Sequence, residues 1–315
     1  MKEKELIRLI DAAQLYYEKG LTQAEVAKQM NISRPSVSNL LSKAKEVGIV
    51  EIKVKSFEST PFGKARALME HFNLKSCNII ENTAIKKEAD EQIYKKTAEV
   101  VMEHLKQSKV FGVGWGMNVS RVIDTLLKEE MDEKLKGFVC PMLGAATVPH
   151  KGYHPNELCT ALGQRFGLTP QYLMSPAFPT SFQEQRLFVN TENYGNTMAY
   201  WKRIDTCIVT LGSYPCVPDQ ATASRFGRNL VLERAYGNML SYFFNIHGER
   251  IRGEEDYAIQ LPLKKLGSIK NFIGIVPPES NPKSVVSCLN TGFVKHLIMN
   301  ESVATGVMKH IDDRA

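Results

Sequence analysis

From about residue 59 onward, the chain alternates short apolar runs with helical segments, and this alternation restricts the possible folds more than any other feature. Cys77–Ile80, Val110–Gly114, Phe138–Gly144, Gln171–Met174, Ile204–Leu211, Phe272–Val276 and Lys295–Met299 read as strands. Between them, helical spacing predicts helices over Phe62–Asn73, Glu88–Lys106, from about Asn118, and over Glu157–Phe166. Further helices are expected at Asn190–Trp201, Val231–Phe244, Lys283–Leu289 and Ser302–His310. Apolar strands each followed by a helix imply a largely parallel sheet covered on both faces, because the crossover helices must lie over it. Ligands of such sheets bind beyond the carboxyl ends of the strands. The loops after Val113, Met142, Leu211 and Val276 are therefore the expected pocket walls.

Residues 1–58 follow a different grammar. Leu6, Leu9, Ile10, Ala13, Tyr16 and Tyr17 recur at helical spacing, and Gly20 ends that helix. Thr22 and Glu25 form a capping box for a second helix running to about Met30. Asn31 tolerates the left-handed turn that follows. Ser33 caps a third helix, with Pro35 in its first turn and Val37, Leu40, Leu41 and Ala44 as its buried stripe. Gly48 ends it, and Ile49–Val54 is expected to be the strand of a wing. Small Ala27, turn residue Asn31 and apolar Val37 have helix-turn-helix spacing. The exposed face of the third helix then offers Arg34, Ser36, Ser38, Asn39, Ser42 and Lys43 to DNA, with Ser33 at its N-terminus and Lys53 on the following strand. Arg and Lys suit guanine edges or phosphate, Asn suits adenine, and Ser suits either. The competing reading is a protein-interaction module with a solvated polar face; against it, that face has no carboxylate before Glu46.

Charge supports the DNA reading only when divided along the chain. The 315 residues carry 40 Lys and Arg against 34 Asp and Glu, net +6, which is too little to imply a polyanion partner by itself. Lys28–Lys55 alone holds six basic and two acidic residues, so positive charge is concentrated on the third helix and the segment after it. The six cysteines are scattered without metal spacing, which fits reduced thiols in a cytoplasmic protein. No apolar run has the length of a signal peptide core or a membrane span.

The strand–glycine–helix unit at Gly112–Gly116 has the form of an anion pocket: Gly114 and Gly116 admit close approach, and the N–H groups of Met117, Asn118 and Val119 are free to donate. Asn118, Ser120 and Arg121 could add side-chain donors. Neither a dinucleotide fingerprint nor a Walker A motif is present, so a small phosphorylated ligand ranks above a nucleotide, with a tight structural turn or a neutral ligand as the remaining readings. In the loop His150–Glu157, His150, His154 and Glu157 could be drawn as metal ligands, the polar groups could bind sugar hydroxyls, or the loop could be ordinary surface. His71, His104, His247, His296 and His310 look surface-like, and no catalytic triad or nucleophile elbow appears.

The blocks 13–17, 21–27, 32–41 and 48–50, together with 112–116 (Gly-Val-Gly-Trp-Gly), 153–156 (Tyr-His-Pro-Asn), 209–213 and 242–248, resemble the SorC/DeoR-type sugar-binding transcriptional regulators over essentially the full length. That resemblance implies an α/β chain: a winged helix-turn-helix domain at 1–58, and a Rossmann-like, open parallel-sheet, sugar-phosphate-isomerase-like domain at 59–315 for effector binding and oligomerisation. It implies a repressor of a carbohydrate-utilisation operon that binds operator DNA as a homodimer or homotetramer and responds to a phosphorylated sugar or polyol. The phosphate would lie between the turn Gly114–Asn118 and the loop after Val276, and the sugar would face the loop after Met142 and the segment Tyr153–Asn156. The effector set implied is Gly114, Gly116, Met117, Asn118, Arg121, Gly144, His154, Asn156, Gly212, Ser213, Asn238, Asn281 and Lys283, with no catalytic residue, metal or cofactor. The chain departs from the family pattern in three places. Pro277-Pro278-Glu279-Ser280-Asn281 replaces a Gly-Gly-Lys loop and leaves Lys283 two places late; Asn238 and Asn245 stand for acids; and Leu143 stands where some deoxyribose-phosphate sensors have lysine. Two alternatives stay open: a sugar-phosphate-processing enzyme fused to a DNA-binding module, and a regulator that senses a non-phosphorylated carbohydrate.

Overall fold

The computed structural model describes residues 3–52, 60–83, 85–130, 134–215, 224–253 and 256–312. The chain divides into two compact units, 1–56 and 57–315. Among the described residues, no helix is long and apolar enough to cross a membrane.

The first unit contains helices α1 (Glu3–Ala13), α2 (Gln23–Gln29) and α3 (Arg34–Glu46). A π-helical turn at Gln14–Glu18 extends α1 and buries Leu15, and Gly20 follows at φ 68°. Thr22 and Glu25 form the capping box in both directions. Asn31 has φ 53°, the left-handed conformation that lets the chain turn from α2 to α3. Ser33 caps α3 by accepting from Ser36 N–H, and Pro35 occupies the first turn, where its missing N–H costs nothing. Leu9, Ala12, Val26, Val37, Leu41 and Ala44 are buried. The expected wing strand is not borne out in its described part: residues 49–52 form bends and coil, while Lys53 and Val54 lie outside the described residues.

The second unit is built on a seven-stranded parallel sheet: β1 (Ser76–Ile80), β2 (Val110–Val113), β3 (Phe138–Pro141), β4 (Thr169–Pro170), β5 (Thr206–Thr210), β10 (Asn271–Ile275) and β11 (His296–Asn300). Their spatial order is β1-β11-β10-β5-β2-β3-β4. The crossovers include α5 (Lys86–Leu105), α6 (Met117–Leu126), α7 (Pro155–Phe166), α8 (Phe182–Val189) and α9 (Glu192–Trp201). Successive strand residues enter opposite cores, as two buried faces require. Cys207 and Val209 join the cluster around Trp201, whereas Ile208 joins the one around Val101, Ile123 and Leu162. Before β1, α4 (Pro61–Phe72) ends at Asn73 in the left-handed conformation, φ 53°.

A smaller antiparallel sheet pairs β6 (Gly212–Ser213), β7 (Gly237–Met239), β8 (Tyr242–Phe244) and β9 (Arg250–Ile251) in that order. It overturns the expected helix Val231–Phe244. The helix there, α10, covers only Asn229–Leu232; Arg234 adopts φ 53°, and a hairpin follows through Leu240 at φ 55°. Gly237 packs so closely on α12 (Pro282–Leu289) that a Cβ would lie 2.6 Å from the Ser284 carbonyl oxygen, so tertiary packing overrides the apparent helical period. The expected strand Gln171–Met174 is also displaced. Pairing with β3 stops at Pro170, and the backbone of Leu173 is held instead by the Asn156 side chain, which accepts from its N–H at 3.0 Å and donates to its carbonyl at 3.1 Å. The remaining elements are α11 (Leu263–Leu266) and the closing helix α13 (Glu301–Asp312).

His296, expected at the surface, is a buried β11 residue, 5% exposed. Its Nδ1 pairs with Ser76 Oγ at 2.8 Å, and its ring lies 4.2 Å from that of His104. Burial above all, then the positive charges of His104 and Lys75, push its pKa down to about 4. A histidine whose folded pKa lies below its unfolded value stabilises the fold fully above the unfolded pKa, near 6.5, and loses that contribution as pH falls toward 4. Denaturant melts across that range should therefore lose roughly 3 kcal/mol from this group, and His296→Phe should flatten the profile.

Candidate functional site

The order of the parallel sheet fixes where a site can form. From β2 the chain winds outward through β3 to β4, then returns on the other side of β2 to β5, β10 and β11. The winding reverses between β2 and β5, and a crevice opens there because the segments leaving the two strand ends diverge. A cavity of about 350 Å³ occupies this place, a volume suited to a small metabolite. Its walls are Trp115–Asn118 after β2, Val209, Thr210, Gly212 and Ser213 at and after β5, and Pro277, Glu279 and Ser280 after β10. Tyr153, Pro215, Asn238, Leu240 and Phe243 complete it.

The β2 wall is the most constrained. Gly114 keeps its N–H on the Ile208 carbonyl at 3.0 Å, and a Cβ there would lie 2.8 Å from that oxygen. Gly116 takes φ 102°, donates to the Gly152 carbonyl at 2.6 Å and begins α6 without a side-chain cap. The N-terminus of α6 thus borders the cavity, bringing its first-turn N–H groups and the positive end of the helix dipole to that wall. The Trp115 indole N–H donates to the Leu240 carbonyl at 3.2 Å, and its ring packs edge-on against Tyr153 at 5.3 Å. On the facing wall, Ser280 is 9% exposed and its hydroxyl has no partner; the Thr210 hydroxyl is likewise unpartnered. Buried hydroxyls are normally satisfied, so two orphans on one cavity mark a place for ligand or solvent hydrogen bonds. Among the described lining residues there is no Lys, Arg or His, and Glu279 supplies a carboxylate.

Of the residues the sequence assigned to the effector, Gly116, Met117, Asn118, Gly212, Ser213 and Asn238 line this cavity. The Asn238 side chain lies over Gly212, where a Cβ would sit 2.3 Å from its Oδ1. The others do not line it. Gly114 closes the β2–β5 pairing beneath it. Arg121 lies on the exposed side of α6 and donates to Tyr94 Oη at 3.3 Å. Gly144 packs against another loop, His154 contacts the Val148 carbonyl at 2.9 Å, and Asn156 holds Leu173. Asn281 caps α12 by accepting from the N–H of Lys283, and both are exposed. Missed altogether were Val209, Thr210, Leu240 and Phe243. Thr210 had a readable signal, as the last residue of an apolar strand, whereas Leu240 and Phe243 were hidden by the false helical period.

In the first unit, Ser33, Arg34, Ser36, Ser38, Asn39, Ser42 and Lys43 are all exposed along α3. Ser33 and Ser36 are joined at 2.8 Å between hydroxyls. Lys43 is ion-paired with Glu5 of α1, and this hydrogen bond holds the Glu5 carboxyl below the usual carboxylate range. That leaves Arg34, Ser38, Asn39 and Ser42 as the side chains of this face without a protein partner among the described residues.

Comparison with known proteins matches residues 60–309 to the family model described as "Putative sugar-binding domain" and residues 2–46 to that of sigma-70 region 4. The chain is 23% identical to the sorbitol operon regulator of Klebsiella pneumoniae, over 98% of this chain and 100% of the relative. It is 24% identical to the deoxyribonucleoside regulator of Bacillus subtilis strain 168, over 96% and 97%. The crystal structure of the full-length Klebsiella regulator SorC superposes with a TM-score of 0.71 at 21% identity, covering 98% of this chain and 100% of that one.

Gly144 separates packing from binding. A Cβ at this position would lie 2.4 Å from the Pro176 carbonyl oxygen, which is backbone and cannot swing away. Gly144→Ala should cost about 1–3 kcal/mol in chemical denaturation, without any ligand present.

Proposed function

The chain belongs to this sugar-binding-domain family, and from that premise we propose that it is a DNA-binding transcriptional regulator, a repressor of a carbohydrate-utilisation operon, whose operator binding responds to a sugar or polyol. The observation that carries the reading is the cavity at the β2/β5 reversal, bounded by an uncapped helix N-terminus and by hydroxyls without partners. The sorbitol and deoxyribonucleoside regulators among the relatives support the carbohydrate class of effector.

Residues 1–58 form the reader in this proposal, with Arg34, Ser38, Asn39 and Ser42 toward base edges and Ser33 at the helix end toward a phosphate. Ser36 is partly committed to Ser33, and Lys43 must leave Glu5 to reach the DNA backbone. One small reader has a limited interface, and specific sites are usually held by two readers on half-sites one helical turn or multiples apart. Residues 59–315 therefore serve assembly as well as sensing, and the working form is a homodimer or homotetramer. Effector and operator then compete or cooperate through one conformational equilibrium, and their coupling is reciprocal.

The effector end that meets α6 is the phosphate of a phosphorylated sugar or polyol, because first-turn N–H groups and the helix dipole favour an anion. An uncharged carbohydrate is the second reading, favoured by the lack of a basic side chain among the described lining residues and by the Glu279 carboxylate.

Two measurements test the proposal. Arg34→Ala should reduce discrimination between operator and random DNA by about 1–3 kcal/mol at fixed salt if Arg34 reads a base pair; unchanged discrimination would remove it from the reading face. Thermal melts with matched pairs of a free sugar or alditol and its phosphate ester decide the effector class. A true effector at a hundred times its Kd should add about 2.7 kcal/mol of stability and should alter operator affinity. A stabilising ester with an inert parent compound supports the phosphate reading, the reverse supports the uncharged one, and a panel inert throughout would overturn the carbohydrate proposal.

A further inference from the structure

Asn118, in the first turn of α6, is the polar side chain of that turn among the cavity's lining residues, and its orientation is set from outside the cavity. Tyr94 Oη, on α5, lies 2.8 Å from Asn118 Oδ1. Arg121, one turn along α6, places Nη1 3.3 Å from the same Tyr94 oxygen and its guanidinium carbon 5.4 Å from the centre of the Tyr94 ring. Tyr94 is 6% exposed, so this chain of groups is anchored by a phenol that the surrounding core holds in place.

The orientation of the Asn118 amide fixes the donors and acceptors in this chain, with the Tyr94 hydroxyl donating to Asn118 Oδ1. A guanidinium only donates, so the phenol oxygen accepts from Arg121. The phenol proton goes to Asn118, where the amide oxygen, which can only accept, stands 2.8 Å away. The Asn118 oxygen is thereby occupied, and its NH2 group has no acceptor among the described residues. An asparagine free to rotate could offer a ligand either an acceptor or two donors. Held in this way, it offers donors only, beside the uncapped N–H groups of α6 and across from the unpartnered, nine-tenths-buried Ser280 hydroxyl.

We propose that Tyr94 and Arg121 are positioning residues of the ligand site: they hold Asn118 as an obligate hydrogen-bond donor, so that the ligand group seated at the N-terminus of α6 must be an acceptor. The proposal rests on the reading of this cavity as the effector site. It also reassigns Arg121, which acts on the ligand through Tyr94 and Asn118 and makes no contact of its own. The chemistry selected is an oxygen rich in lone pairs, whether a phosphoryl oxygen, a carbonyl or a hydroxyl accepting through its lone pair. An ammonium group, as on an amino sugar, is excluded at this position.

The test uses the full chain and the variants Tyr94→Phe, Arg121→Met, Asn118→Ala and Tyr94→Phe with Asn118→Ala. Its first arm needs no ligand. With asparagine labelled in carbon-13 and nitrogen-15, the Asn118 side-chain signals are identified by their loss in Asn118→Ala. The Asn118 carbonyl carbon should move upfield in Tyr94→Phe, as it does when a hydrogen bond to its oxygen is removed; an unmoved signal overturns the proposal. The second arm measures binding of a panel of pentoses, hexoses, alditols and their phosphate esters. Tyr94→Phe should weaken the best binder by about two- to tenfold, the range for one net hydrogen bond, and Arg121→Met should act in the same direction. In the Asn118→Ala background, Tyr94→Phe should have no further effect. An equal loss in both backgrounds would mean a general packing role and would overturn the proposal. If no panel member binds the wild-type chain while the carbonyl signal still moves, the carbohydrate reading falls and the hold on Asn118 stands.

Discussion

The cavity depends on the parallel pairing of β2 with β5 at the point where the sheet changes its direction of winding. Two adjacent strands whose following segments leave in opposite directions cannot cover their own carboxyl ends. The pairing must also persist to the last residue, so that both ends stay in register while the chain turns away. Gly114 meets that condition. It remains bonded to Ile208 at a separation no Cβ allows, and two residues later Gly116 turns the backbone into α6 through a conformation open mainly to glycine. The antiparallel hairpin β7–β8 then closes the crevice laterally with Leu240 and Phe243 and supplies Asn238.

Much of the architecture was legible because local and global signals agree. Alternating apolar runs identified the central strands, and the two-sided burial of β5, β10 and β11 accounts for the apolar residues at the middle of each, with polar residues confined to their ends. The capping box at Thr22–Glu25, the left-handed Asn31 and the Ser33–Pro35 start of α3 are short-range features, and they stand in the structure as read. The hairpin at 237–244 was unreadable for the opposite reason. Met239, Leu240, Phe243 and Phe244 have helical spacing, yet their conformation is imposed by the close approach of Gly237 to α12, a contact nearly fifty residues away in sequence.

The site was half legible on the same grounds. Residues that follow directly from a strand end, such as Gly116–Asn118 and Gly212–Ser213, could be located from the alternation alone. Arg121, His154 and Asn156 carry suitable chemistry and lie near these segments in sequence, but side-chain direction sends them elsewhere: Arg121 to Tyr94, His154 to a carbonyl of its own loop, and Asn156 to the backbone of Leu173. Proximity along the chain could not distinguish a group that touches a ligand from one that holds a neighbour. The Glu5–Lys43 pair makes the same point in the first unit, where a lysine on the exposed face of α3 is already engaged by α1.

The positions of the two tryptophans carry a further consequence. Trp201 is 1% exposed, with its indole N–H on the Pro141 carbonyl at 2.7 Å, and it does not border the cavity. Trp115 borders it directly, and its indole is tied to the hairpin that forms the lateral wall. One chromophore is therefore shielded from the crevice while the other forms part of its wall. The chain carries its own optical gauge: a change in its ultraviolet emission when the crevice fills is a change in the surroundings of Trp115, read against the light of Trp201.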